Sequence, residues 1–163
     1  MKSLILTASL WGWTVLLGAP STFGQAPVCQ VDENAKAREA TIRAFMAAVA
    51  SRDAEKTRAL MADPEGYAGN VLEPHNYRGF FPGEVVVRAD HRFRVIRLCT
   101  YGGHGDEFMT DAEFTDEATV HLADRRGLSA RPRRFYVFYH FHYTPDVAEG
   151  LLRMGSPFLK SMD

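Results

Sequence analysis

The chain has little cysteine, only Cys29 and Cys99 in 163 residues. That excludes a disulfide-dense scaffold, and no Cys-x-x-Cys pair is present for a redox or zinc motif. Positive charge is not in excess either, with 19 basic against 20 acidic side chains. Nucleic-acid binders concentrate basic residues, so this composition makes no case for one. The densest basic cluster, Arg125–Arg134, lies between two strand-like runs and reads as a solvated hairpin tip. Long apolar runs are also missing: Leu4–Ala19 falls short of the roughly 20 residues a spanning helix needs. There is no glycine-rich phosphate motif, no internal repeat, no low-complexity tract and no Ser-His-Asp arrangement that a sequence alone certifies.

What is present begins with a leader. Lys2, then "LILTASLWGWTVLLGA", then "PSTFGQA" follow the basic, apolar, small-residue order of a secretory signal peptide. Cleavage is expected after Gly24, giving 1–24 as signal peptide and 30–163 as one domain, secreted or periplasmic. Val28 before Cys29 is not small, so no lipoprotein anchor and no stable membrane anchor is expected. Without Lys2 the mature chain carries net charge −2. In an exported protein Cys29 and Cys99 read as one candidate disulfide. It would close a loop of about 70 residues and contribute about 3–4 kcal/mol. Two buried free thiols are the alternative.

Ile42, Phe45, Met46 and Val49 recur at i, i+3, i+4 and i+7, the apolar stripe of an amphipathic helix over "DENAKAREATIRAFMAAVAS". Asp32 or Asn34 can cap its start. Asp53 is a candidate cap for a shorter second helix ended by Pro64. Residues 66–82 read as loop. Beyond them the period becomes two, in "EVVVRADHRFRVIRLC", "DEATVHLAD" and "RRFYVFYHFHYT". The tail from about residue 146 suits a short helix broken at Gly155–Pro157. Helices first and consecutive antiparallel strands afterwards indicate an α+β domain.

The chemistry-bearing stretch is "FYVFYHFHY", Phe135–Tyr143. On a strand, Tyr136, Phe138, His140 and His142 share one face, and Phe135, Val137, Tyr139, Phe141 and Tyr143 the other. The second face reads as core or dimer interface. The first grades from apolar to imidazole, as a pocket with a polar mouth would. His140 and His142 are therefore the weak catalytic candidates, and Phe45, Tyr136, Phe138, His140 and His142 the expected ligand-binding set. Half-buried histidines satisfied by neighbours are the ordinary alternative. Zinc would need a third ligand beside the two imidazoles, and nothing in the sequence brings His104, Asp106, Glu107 or His121 to them. No metal and no cofactor is expected. "EPHNY" (Glu73–Tyr77) gathers a carboxylate, an imidazole and a phenol, but reads first as connecting loop, and "YGGHGDEF" reads as a hairpin turn.

"IRAFMAAVASRDAEKTRALMAD" resembles the opening of NTF2-like proteins of the SnoaL and ketosteroid-isomerase kind, a long helix, a polar break ending in Asp and a second helix. "DEATVHLADRRGLSARPRRFYVFYHF" is similar to that superfamily's late hairpin. The resemblance covers most of residues 34–143, poorly over 64–84. It implies a cone, a strongly curved sheet around the first helix with a pocket between, and commonly a homodimer through the outer sheet face. Carried over without gaps, the isomerases' donor tyrosine falls on Phe45, which has no hydroxyl, and their base falls near Gly69, with Glu65 or Glu73 near after a local gap. The isomerase mechanism is disfavoured. The reading is an exported domain binding a small, largely apolar ligand. A SnoaL-like isomerase, hydrolase or cyclase using His140 or His142 as general base, on a polyketide- or steroid-like substrate, is the enzymatic alternative. A secreted homodimeric interaction module is the third. Whether the protein is an enzyme stays open at this point.

Overall fold

The computed structural model describes residues 28–63, 74–102, 108–143, 152–154 and 158–163. The expected leader, the loop carboxylates Glu65 and Glu73, Gly69, and the turn residues His104, Asp106 and Glu107 lie outside the described residues. Helix α1 runs Glu33–Ser51. Asp32 caps it, its Oδ1 accepting from the Ala35 N–H at 2.6 Å. The helix ends where Arg52 turns left-handed at φ 61° and gives its N–H back to the last turn. Asp53 then caps α2, Ala54–Ala59, accepting from the Lys56 N–H at 2.9 Å. The expected stripe is the buried one: Ile42, Phe45, Met46 and Val49 are all inside.

A 3-10 helix, Pro74–Phe80, leads into the sheet. The strands are β1 Val85–Asp90, β2 Phe93–Gly102, β3 Phe108–Asp124, β4 Gly127–Tyr143, β5 Arg153–Met154 and β6 Phe158–Ser161. They form one open, curved antiparallel sheet, and the molecule is α+β. Its backbone is the β3–β4 ribbon, paired from Phe108↔Tyr143 to Asp124↔Gly127. Gly127 closes the two-residue turn at φ 125°, a conformation that side chains other than glycine resist. The basic cluster therefore extends β4 beyond a tight turn, and Leu128 at its start stays 81% exposed.

On the free edge of β3, β2 and β1 lie end to end: β2 pairs with Phe108–Asp116 and β1 with Thr119–Ala123. The single strand-like stretch expected over Glu84–Cys99 is thus two strands, broken at His91–Arg92. On the free edge of β4, β6 pairs with Phe135–Phe138 and β5 with Phe141–His142. The described part of the tail is consequently extended, not the expected helix, because the hydrogen-bonding edge of β4 takes it up.

Burial alternates along the ribbon. Thr110, Ala112, Phe114, Asp116, Ala118, Val120 and Leu122 of β3 point inward with Phe135, Val137, Tyr139, Phe141 and Tyr143 of β4. That face receives α1, with Phe45 edge-on to Phe141 at 6.0 Å between ring centres. Cys29 and Cys99 are joined, their Cα atoms 5.0 Å apart, and the Gln30 N–H donates to the Thr100 carbonyl at 2.6 Å. The segment before α1 is thereby tied to β2.

Candidate functional site

Asp116 is the one carboxylate on the inward face of β3, wholly buried between Phe114 and Ala118. Burying a charge costs several kcal/mol unless partners replace its water. Three donors do so. His91 Nδ1 lies 2.8 Å from Asp116 Oδ2, the Tyr77 hydroxyl donates to the same oxygen at 3.1 Å, and the Arg92 N–H donates to Oδ1 at 3.0 Å. The break between β1 and β2 is what brings His91 here. Phe93 pairs with Asp116, so the two residues before it turn over the carboxylate. The Arg92 carbonyl also accepts from the Glu117 N–H at 3.0 Å, pinning that turn.

Aromatic rings enclose the cluster. Phe93 stacks on the His91 ring at 5.1 Å and 11°, and Phe135 stands edge-on to Tyr77 at 5.0 Å. Burial, and then the negative charge of Asp116, push the Tyr77 phenol far above its ordinary value, so it stays a donor. The same two causes raise Tyr139. Because the carboxylate accepts, Nδ1 of His91 carries the proton and Nε2 keeps the lone pair in the neutral ring. His91 borders a cleft of about 230 Å3 lined also by Val49, Arg52, Arg88 and Ala89. Both guanidiniums there reach Asp90, each at 3.4 Å, and His121 Nε2 lies 2.7 Å from it. Burial works to raise Asp90, but the His121 hydrogen bond and the two arginines outweigh it and hold the carboxyl below its usual range.

The sequence-predicted residues divide between two faces. Phe45 is fully buried on the helix side. Tyr136, Phe138, His140 and His142 point to the opposite side of the sheet and are half-buried. The sheet stands between, so the five do not line one cavity; strand alternation sends the aromatic Phe135–Tyr143 set inward and the histidines outward. On the outer face His140 Nδ1 lies 2.6 Å from Asp111 Oδ1, and the Tyr101 hydroxyl donates to that oxygen at 3.0 Å. Burial, then the bond to Asp111, push the Tyr101 phenol up to about 12. Next along this face Arg97 Nε donates to Glu113 at 2.6 Å, and burial, then Glu113, raise the Tyr136 phenol. His121 pairs with β4 at Ala130, about 34 Å along the ribbon from the Asp111–His140 pair at about 3.4 Å per residue. It cannot join those histidines.

Sequence reasoning passed over His91 and Asp116, and took Tyr77 as part of a loop. The available signal was Asp116 itself, an acid interrupting the apolar period of Ala112, Phe114, Ala118, Val120 and Leu122.

Neither family models nor curated proteins match the chain. Among solved structures it is similar to one from Catenulispora acidiphila, at 13% identity and a TM-score of 0.39, over 77% of this chain and 89% of that one. A likeness that distant carries no statement of family.

Proposed function

We propose that this chain is an exported NTF2-like domain that binds a small, largely apolar ligand at the open end of its helix–sheet interior. His91, backed by Asp116 and Tyr77, is the polar wall of that site together with Arg52 and Arg88. The observation that carries the proposal is Asp116, an ionisable group kept on the apolar face of the longest ribbon and given three donors. Apolar residues of similar volume in place of the whole Tyr77–Asp116–His91 cluster would often be neutral or stabilising, so a buried carboxylate with its own partners points to a role beyond stability. Val49, Ala89 and the stacked Phe93 supply apolar surface beside the imidazole. A cleft of about 230 Å3 holds roughly eight water volumes, which suits one ring or a short chain rather than a fused polycycle.

The NTF2-like reading is supported by the long capped helix, the break ending in Asp53, and the curved antiparallel sheet against which α1 packs. Export is supported by the leader and by the Cys29–Cys99 bond. Among the described residues no helix is long and apolar enough to cross a membrane.

One further reading has its own observation. With Nδ1–H held by Asp116, His91 Nε2 keeps the lone pair that a general base would use. In this proposal the acid/base role belongs to His91 and not to His140 or His142. The test is a titration of the mature protein with small cyclic ketones and phenols, followed by amide NMR. Saturable shifts at Val49, Ala89 and His91 are expected, with affinity falling at least tenfold in His91→Ala and Asp116→Asn variants that remain folded. Shifts confined to the Tyr136–His142 face, or none, would sink the reading. Solvent deuterium exchange next to the ketone, fast with the parent and absent with His91→Ala, would assign catalysis.

A further inference from the structure

The outer face of the ribbon carries a donor set that the interior site does not use. Met109 and His142 are directly paired across β3 and β4, and Asp111 and His140 are the next pair on that face. Two distances draw three of these side chains together. His140 Nε2 stands 3.1 Å from Met109 Sδ, and the rings of His140 and His142 are centred 4.9 Å apart. Asp111 holds His140 Nδ1 at 2.6 Å, so in the neutral ring the proton is on Nδ1 and Nε2 turns a lone pair toward the thioether. Two lone pairs at that separation repel each other, unless a proton or a cation lies between them.

We propose that His140 Nε2, Met109 Sδ and His142 form a three-donor site for copper(I). Thioether selects this soft monovalent ion and imidazole also suits copper, whereas magnesium, calcium and manganese want oxygen. The site has the outer support that imidazole ligands commonly carry. Asp111 fixes the ring's orientation, and the Tyr101 hydroxyl, 3.0 Å away, fixes Asp111. Asp111 also sets one negative charge near the ion. The His140 side chain is 35% exposed, and Met109 and His142 are half-buried, so an ion can enter from solvent while much of the site stays dry. Cys99 faces the same side, opposite Asp111, but its sulfur is bonded to Cys29 and offers no competing thiolate.

The experiment titrates the mature protein, its disulfide verified by mass, with copper(I) under anaerobic ascorbate against the coloured chelator bicinchoninate. One equivalent is expected to bind. Met109→Leu and His142→Asn are each expected to weaken it at least tenfold, and Asp111→Asn by about 10–100-fold. X-ray absorption of the parent complex is expected to show a sulfur scatterer that is lost in Met109→Leu. Failure of the parent to compete for one equivalent, or equal affinity in Met109→Leu, would overturn the proposal. So would nitrogen-only coordination in the parent spectrum, which needs no variant to fold. No binding would mean an imidazolium donating its Nε2–H to sulfur instead. None of these results bears on the His91 cleft, which lies on the other side of the sheet.

Discussion

Replacing Asp116 by alanine removes the acceptor that three donors share, and each donor left buried without a partner costs about 1–3 kcal/mol. Urea unfolding should therefore show a large loss, whereas Tyr77→Phe, which removes one donor and leaves the others satisfied, should cost only about 1 kcal/mol. Equal effects would mean that the cluster does not behave as one network. Asp90 belongs to a different class. Its carboxyl is held low by His121, Arg88 and Arg52 on an exposed edge, so whatever stability it lends is present at neutral pH and fades as pH falls through its depressed value. Solvent screening keeps that contribution small, and Asp90→Asn should scarcely move the midpoint at pH 7.

Among the elements, α1 is the one that composition and spacing describe nearly completely. Its stripe, its cap at Asp32 and the cap of its successor at Asp53 all stand where the residues put them. Local rules suffice there, because caps and a 3.6-residue period act over one or two turns. Phe45→Ala should cost about 3–5 kcal/mol, since the ring is fully buried against Phe141, and Asp32→Ala about 1 kcal/mol. The sheet is legible only in part. The aromatic second half of β4 was plain, but the first half of β3 was not, because Asp116 breaks the very alternation that reveals a strand. What makes that acid tolerable comes from residues 25 and 39 positions away, His91 and Tyr77, and no local pattern reports such partners. The described tail misled for a related reason. Leu152 and Phe158–Ser161 follow the needs of neighbouring backbone, through the bridge to Met61 and the edge of β4, and not their own propensity. Which side of β4 meets α1 was likewise undecidable, as both of its faces are rich in rings.

For the molecule as a whole, tyrosine chemistry sets the alkaline limit. Burial raises Tyr77, Tyr139 and Tyr143 above the ordinary value near 10. The unfolded chain releases those protons as pH passes about 10 while the folded chain keeps them, so stability is complete below that pH and drains above it. Each such phenol contributes a slope that reaches about 1.4 kcal/mol per pH unit only above about pH 10, and Tyr143→Phe should remove one share of it in urea midpoints taken between pH 9 and 11. Reduction acts through the other end of the chain. Opening the Cys29–Cys99 bond, which spans a separation of 70 residues, should lower stability by about 3–4 kcal/mol and free the strap that leads into α1. Finally, the two short strands along one side of the ribbon meet at a seam, and His91 sits in it. Each strand has its own register with β3, so adding or deleting a residue between Asp90 and Phe93 would re-aim the imidazole while both ladders stay intact. A change of length at that joint can thus turn one side chain without asking the rest of the architecture to change.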